Sequence, residues 1–98
     1  MSLMYYTYLL YSEKDGWWYT GTTRDLRTRV KAHANGRVWS TRSRRPLQRI
    51  YDEACRRPED AIRRERYLKT GRGKRYLRQR LGVELTSLSA VPTLSTKR

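Results

Sequence analysis

Residues 4–11 (Met-Tyr-Tyr-Thr-Tyr-Leu-Leu-Tyr) and residues 17–22 (Trp-Trp-Tyr-Thr-Gly-Thr) are two aromatic, β-prone runs separated only by the polar stretch Ser12 to Gly16. Aromatic and β-branched side chains suit a pleated, partly buried surface, and a short polar link with a terminal glycine reverses the chain. The two runs therefore predict a β-hairpin whose first strand has one face well exposed. A helix must follow at once, because Thr23 or Asp25 can cap it and Asn35-Gly36 can stop it after about Ala34. A hairpin leading directly into a helix leaves few folds open to a chain this short.

The remaining segments complete a small α/β unit. Residues 36–46 form a basic connection closed by Pro46, and Leu47 to Ala54 alternates well enough to be a third strand. Pro58 can open a second helix with Glu59 and Asp60 near the positive end of its dipole, running to about Thr70. Gly71 and Gly73 are expected to interrupt it, with a short basic helix from about Lys74 to Leu81. From Gly82 onward the chain lacks periodicity and reads as a loosely ordered tail. The expected fold is α/β, a small three-stranded antiparallel sheet flanked by helices, with a domain at 1–81 and a tail at 82–98. Gly71-Arg72-Gly73 does not make a phosphate loop, since neither the preceding strand nor the following lysine is in place.

Charge narrows the function. Twenty-three Lys and Arg stand against nine Asp and Glu, a formal net charge of +14. Such a surplus repels itself in a compact state, and a polyanion is its natural partner. The segment from Arg24 to Arg49 alone holds nine basic residues and one acidic residue. Arg24, Arg27, Arg37, Arg42, Arg44, Arg45 and, further on, Lys69 are the candidates for nucleic-acid contact. The single Cys55 excludes an intrachain disulfide and a thiolate cluster, and it reads as a small core residue. No run is long and apolar enough to span a bilayer, and no cleavable leader is evident, so a cytoplasmic setting is the expectation.

Three residues look placed for chemistry. On the first helix Arg29 and His33 are four apart and flank the stripe of Leu26 and Val30. Arg29 should emerge where Tyr8 and Tyr19 can reach it, although a surface arginine covering a core edge has the same spacing. On the second helix Glu65 falls between Ala61 and Ile62, inside the side expected to be buried together with Leu68. A buried carboxylate needs a cation, a metal ion or a polar cavity, and a salt bridge in a purely binding domain would also satisfy it.

Tyr6-Thr7-Tyr8, Tyr19-Thr20-Gly21 and the run from Thr22 to His33 resemble the GIY-YIG nuclease family, especially its small stand-alone members, over about residues 4–81. Asn35-Gly36, Ser40-Thr41, Arg45-Pro46-Leu47 and the stretch from Ala61 to Lys69 extend the likeness. The resemblance implies a metal-dependent DNA endonuclease in which Tyr8, Tyr19, Arg29, His33 and Glu65 carry catalysis, although His33, the only histidine, reads equally as a satisfied structural residue. It further implies that Glu65 holds Mg2+, for which Mn2+ can substitute. Some members have a lysine where this chain has Thr22. Structured, branched or damaged DNA is the expected substrate. RNA fits the charge but leaves the order of the motif unexplained, and a non-catalytic nucleic-acid-binding module that keeps the nuclease fold is the competing reading.

Overall fold

The computed structural model describes residues 3–82. Strand β1 (Tyr5–Ser12) and strand β2 (Trp18–Thr23) form the expected hairpin, and helix α1 (Leu26–Ala34) follows directly. Strand β3 (Leu47–Cys55), helix α2 (Pro58–Leu68) and helix α3 (Gly71–Arg80) complete the fold. The sheet is antiparallel in the order β2-β1-β3, so the first strand is central. All but Gly82 of the expected tail at 82–98 lies outside the described residues.

The central position of β1 overturns the expectation of an exposed face: from Thr7 to Ser12 every residue is buried. Strand periodicity sends alternate side chains to opposite faces. On one face the Thr7 hydroxyl donates to the Ala61 carbonyl of α2 at 2.8 Å, and Leu9 and Tyr11 join Trp18, Leu68, Leu77 and Leu81 in the core. On the other face Tyr8 meets His33 of α1, and the Ser12 hydroxyl donates to the Arg44 carbonyl. Both faces are thus covered, one by α2 and α3, the other by α1 and the connection after it.

Three local features depart from simple periodicity. In β3, Leu10 of β1 pairs with Arg49 and Leu9 pairs with Tyr51, so Ile50 is the extra residue of a bulge. Ile50 and Tyr51 consequently both pack against the core, although strict alternation would separate them. In α2, Ile62 is 44% exposed, so the buried side is narrower than the sequence pattern suggests and is set by Ala61 and Leu68. Cys55, at the end of β3, is half-buried rather than a core residue.

The two glycines after α2 do not break the chain into a loop; they lie in the first turn of α3. The Thr70 side chain caps this helix by accepting from the Gly73 amide at 3.1 Å. A Cβ at Gly73 would overlap the Tyr67 carbonyl and lie 2.6 Å from the Leu68 Cα, so the glycine permits contact between two helix backbones. Neither obstacle is a flexible side chain that can swing aside. Gly73→Ala is therefore expected to destabilise the fold by about 3 kcal/mol in urea titration, at the upper end for overpacking. Gly71→Ala meets nothing within 4 Å and serves as the control.

Candidate active site

The hairpin register determines where the candidate residues go. Tyr8 pairs with Gly21, and Tyr19 lies two residues along β2 on the same face. The Tyr8 and Tyr19 rings are 6.4 Å apart, and each is within 5.6 Å of the His33 ring. A Cβ at Gly21 would lie 2.5 Å from the Tyr8 hydroxyl oxygen, so glycine is what lets that hydroxyl reach across β2. Helix α1 is aimed at this point by its start: the Thr28 amide donates to the Asp25 carboxylate at 3.2 Å. At its other end the helix stops at Asn35, and Gly36, at φ +76°, turns the chain away.

His33 is the buried residue of α1, where Leu26 and Val30 were expected to be the inward pair. Its Nε2 is 2.8 Å from the Tyr8 hydroxyl oxygen and its Nδ1 is 2.7 Å from the Thr41 hydroxyl oxygen. Both ring nitrogens are therefore engaged, and the ring is 1% exposed. Burial, reinforced by the nearby Arg29 charge, lowers its pKa to about 4. A neutral imidazole behind Tyr8 holds the phenol in place and is shielded from solvent. In the sequence Thr41 stands out only as part of the Ser40-Thr41 likeness and without a role, because it sits in a connection without periodicity.

Arg29 is exposed, as a residue at the margin of its helix should be. Its guanidinium lies beside Tyr8 and Tyr19, and the Tyr8 hydroxyl is the main influence that raises its already high pKa. Burial raises the pKa of Tyr8, outweighing the opposing effect of Arg29. Tyr19 is half-buried and thus more open than Tyr8.

Glu65 comes from the opposite face of the sheet. The Thr22 hydroxyl donates to its Oε1 at 2.5 Å, and Lys69 Nζ donates to its Oε2 at 2.9 Å. Register puts Thr22 on the α2 face and the tyrosines on the α1 face, so Glu65 and the tyrosines approach from opposite sides of the sheet. The two sets approach each other at the outer edge of β2, where the Tyr8 hydroxyl lies over Gly21, next to the Thr22 that holds Glu65. Glu65 is close enough to add to the upward shift of Tyr8. Partial burial alone would raise the Glu65 pKa, but the Thr22 and Lys69 hydrogen bonds and the charges of Lys69 and Arg66 together lower it. The carboxylate is thus ionised, one-quarter exposed and paired with a lysine that is itself 56% exposed. The Glu65–Lys69 pair was legible as a four-residue helical spacing.

Among the described residues, no three His, Cys, Asp or Glu side chains are grouped to hold an ion. The donor chemistry still fits Mg2+, which keeps most of its waters and needs only one or two carboxylates. Glu65 supplies one, provided that exposed Lys69 swings aside.

The candidate nucleic-acid residues divide into two groups. Arg24, Arg27, Arg37, Arg42 and Arg45 are exposed. Arg24 and Arg27, with Tyr6, Val30, Lys31 and Arg49, line a groove of about 740 Å3 beside α1. Arg44 is tied to Asp15 and lies 4.0 Å from the centre of the Trp17 ring, and Lys69 is tied to Glu65. No helix among the described residues is long and apolar enough to cross a membrane.

Comparison with known proteins matches residues 4–81 to the GIY-YIG catalytic domain. The UPF0213 protein BH0048 of Halalkalibacterium halodurans is 36% identical over 95 residues, covering 96% of this chain and 94% of that protein. The UPF0213 protein CPE1444 of Clostridium perfringens is 42% identical over 67 residues, covering 67% and 71% of the two chains. Among solved structures, the solution NMR structure of the UPF0213 protein BH0048 from Bacillus halodurans matches with a TM-score of 0.46 and 35% identity, covering 96% and 94%.

Proposed function

This chain belongs to the GIY-YIG family, and on that premise we propose that it binds DNA through its basic surface and hydrolyses a phosphodiester at the β2 edge. The observation that supports the proposal is the proximity of Tyr8, Tyr19 and Arg29 to one another, with the ionised Glu65 held by Thr22 beside Gly21. Tyr19, the more open phenol, takes the proton of the attacking water. Tyr8, held by His33 and raised in pKa by burial, stays protonated and donates to a phosphate oxygen. Arg29 faces the charge that develops on the phosphate, where a fixed cation lowers the barrier. Glu65 would hold Mg2+ or Mn2+, which supplies Lewis-acid stabilisation of the phosphate and leaving oxygens when bound.

A second reading rests on a specific feature of the same site. Both Glu65 oxygens already accept hydrogen bonds, from Thr22 and Lys69, which is the arrangement a non-catalytic DNA-binding module would keep. Purified protein incubated with linear, damaged and branched DNA and Mg2+ or Mn2+ decides between the two. Strand scission that is lost with chelator supports hydrolysis; binding without scission under every condition leaves the module.

Binding itself should be broad in sequence and steep in salt, because guanidiniums without a recognition helix contact phosphates more than base edges. Replacing one phosphate-contacting arginine, such as Arg27 or Arg37, is expected to reduce the slope of log affinity against log salt by about one. An affinity indifferent to salt contradicts the DNA-binding half of the proposal.

A further inference from the structure

Beyond the tyrosines, the outer edge of β2 opens into a cleft of about 280 Å3 that the catalytic reading does not use. Trp17, Trp18 and Leu68 form an apolar wall, and Lys69 and Lys74 supply charge. Tyr19 lines the same cleft, which places it directly beside the candidate chemistry.

Two properties of this cleft specify its occupant. Lys69 is paired with Glu65, but Lys74 has no acidic partner among the described residues, so the cleft holds a cation that calls for an anion. Trp17 is 48% exposed even though Arg44 packs over its ring, so part of its aromatic surface remains accessible at the mouth of the cleft. An apolar ligand would leave Lys74 unused, and a bare phosphate would leave the tryptophan wall unused. A nucleotide uses both, with its base against the indole and its phosphate at the ammonium. The volume suits about one nucleotide and is far too small for a base pair within a duplex.

We propose that this cleft receives a single unpaired nucleotide next to the scissile phosphate, so that the substrate class is DNA containing a base able to leave the stack. The inference rests on the DNA-binding reading above and narrows its substrate. A mismatched, bulged or damaged base is cheaper to unstack than a paired one, and that difference becomes selectivity. Trp17 and Lys74 are then specificity residues that leave the basic groove beside α1 untouched.

The test is equilibrium binding, without divalent metal, to two duplexes that differ only by one unpaired adenine. The unmodified protein should prefer the duplex with the unpaired base. Trp17→Ala should weaken binding to that duplex about 5- to 150-fold while changing the fully paired duplex by less than about twofold. Lys74→Gln should produce a smaller loss with the same selectivity. Trp17→Leu keeps an apolar cover for Arg44 but has no π face, so it should also lose the preference and guards against a folding defect in the alanine variant. Equal affinity of the unmodified protein for both duplexes, or equal losses on both in Trp17→Leu, would overturn the inference while leaving DNA binding intact. Failure to bind either duplex would overturn the DNA-binding reading and this one with it.

Discussion

Glu65→Gln is expected to reduce Mg2+-dependent cleavage at least about a hundred-fold, since even partners behind a metal ligand commonly contribute ten- to a hundred-fold. The substitution preserves shape, and the amide oxygen can still accept from Thr22. What it removes is the negative charge that suits a hard cation, together with the ion pair to Lys69. Lys69 is mostly exposed and Glu65 one-quarter exposed, and loss of a pair open to solvent on the lysine side changes stability by about 1 kcal/mol. DNA affinity should hold or rise slightly, because one carboxylate is subtracted from a chain of formal charge +14. The decisive comparison is cleavage rate against affinity in one preparation, with Arg29→Ala alongside. Unchanged cleavage in both variants would remove the site from consideration.

Tyr8, Tyr19, Arg29, His33 and Glu65 could be named from the sequence because hairpin and helix periodicity, joined to the family resemblance, placed them on successive elements. Their final arrangement could not. Whether Glu65 shares a sheet face with the tyrosines depends on hairpin register and on the docking of α2, and these bring it from the opposite face to the β2 edge. The connection after α1 was legible as basic and, at Ser40-Thr41 and Arg45-Pro46-Leu47, as family-like, but not as a partner for the site. Its most consequential side chain is Thr41, which reaches His33 through a contact that no periodicity encodes. The start of α3 was misplaced for a related reason. Glycine is a poor helix former in isolation, but a glycine between two touching backbones is selected by the neighbour, and that neighbour is visible only after folding. The β3 bulge at Ile50 and the exposure of Ile62 are likewise consequences of packing, which overrode a correct local pattern.

Acidification should destabilise this protein through His33, starting as the pH falls below about 6.5. A histidine in the unfolded chain has a pKa of about 6.5, whereas in the fold burial and then Arg29 depress it to about 4. Between those values the unfolded state binds a proton that the native state does not, so stability rises with pH across the window. The contribution is complete above about pH 6.5 and declines as pH falls towards 4, by a total on the order of 3 kcal/mol. Hydrogen bonding alone does not prevent protonation, because the Tyr8 and Thr41 oxygens can both accept from an imidazolium. The cost lies in placing a cation in a buried site beside Arg29. Since His33 is the only histidine, one imidazole resonance in a proton NMR titration reads the pKa directly. Urea titrations over the same range should show the slope in the unmodified protein and lose it in His33→Gln, whose side chain does not titrate. A resonance that moves with a midpoint near 6.5 in the folded protein would contradict the buried, neutral imidazole, and with it the fixed Tyr8 on which the division of labour between the two tyrosines depends.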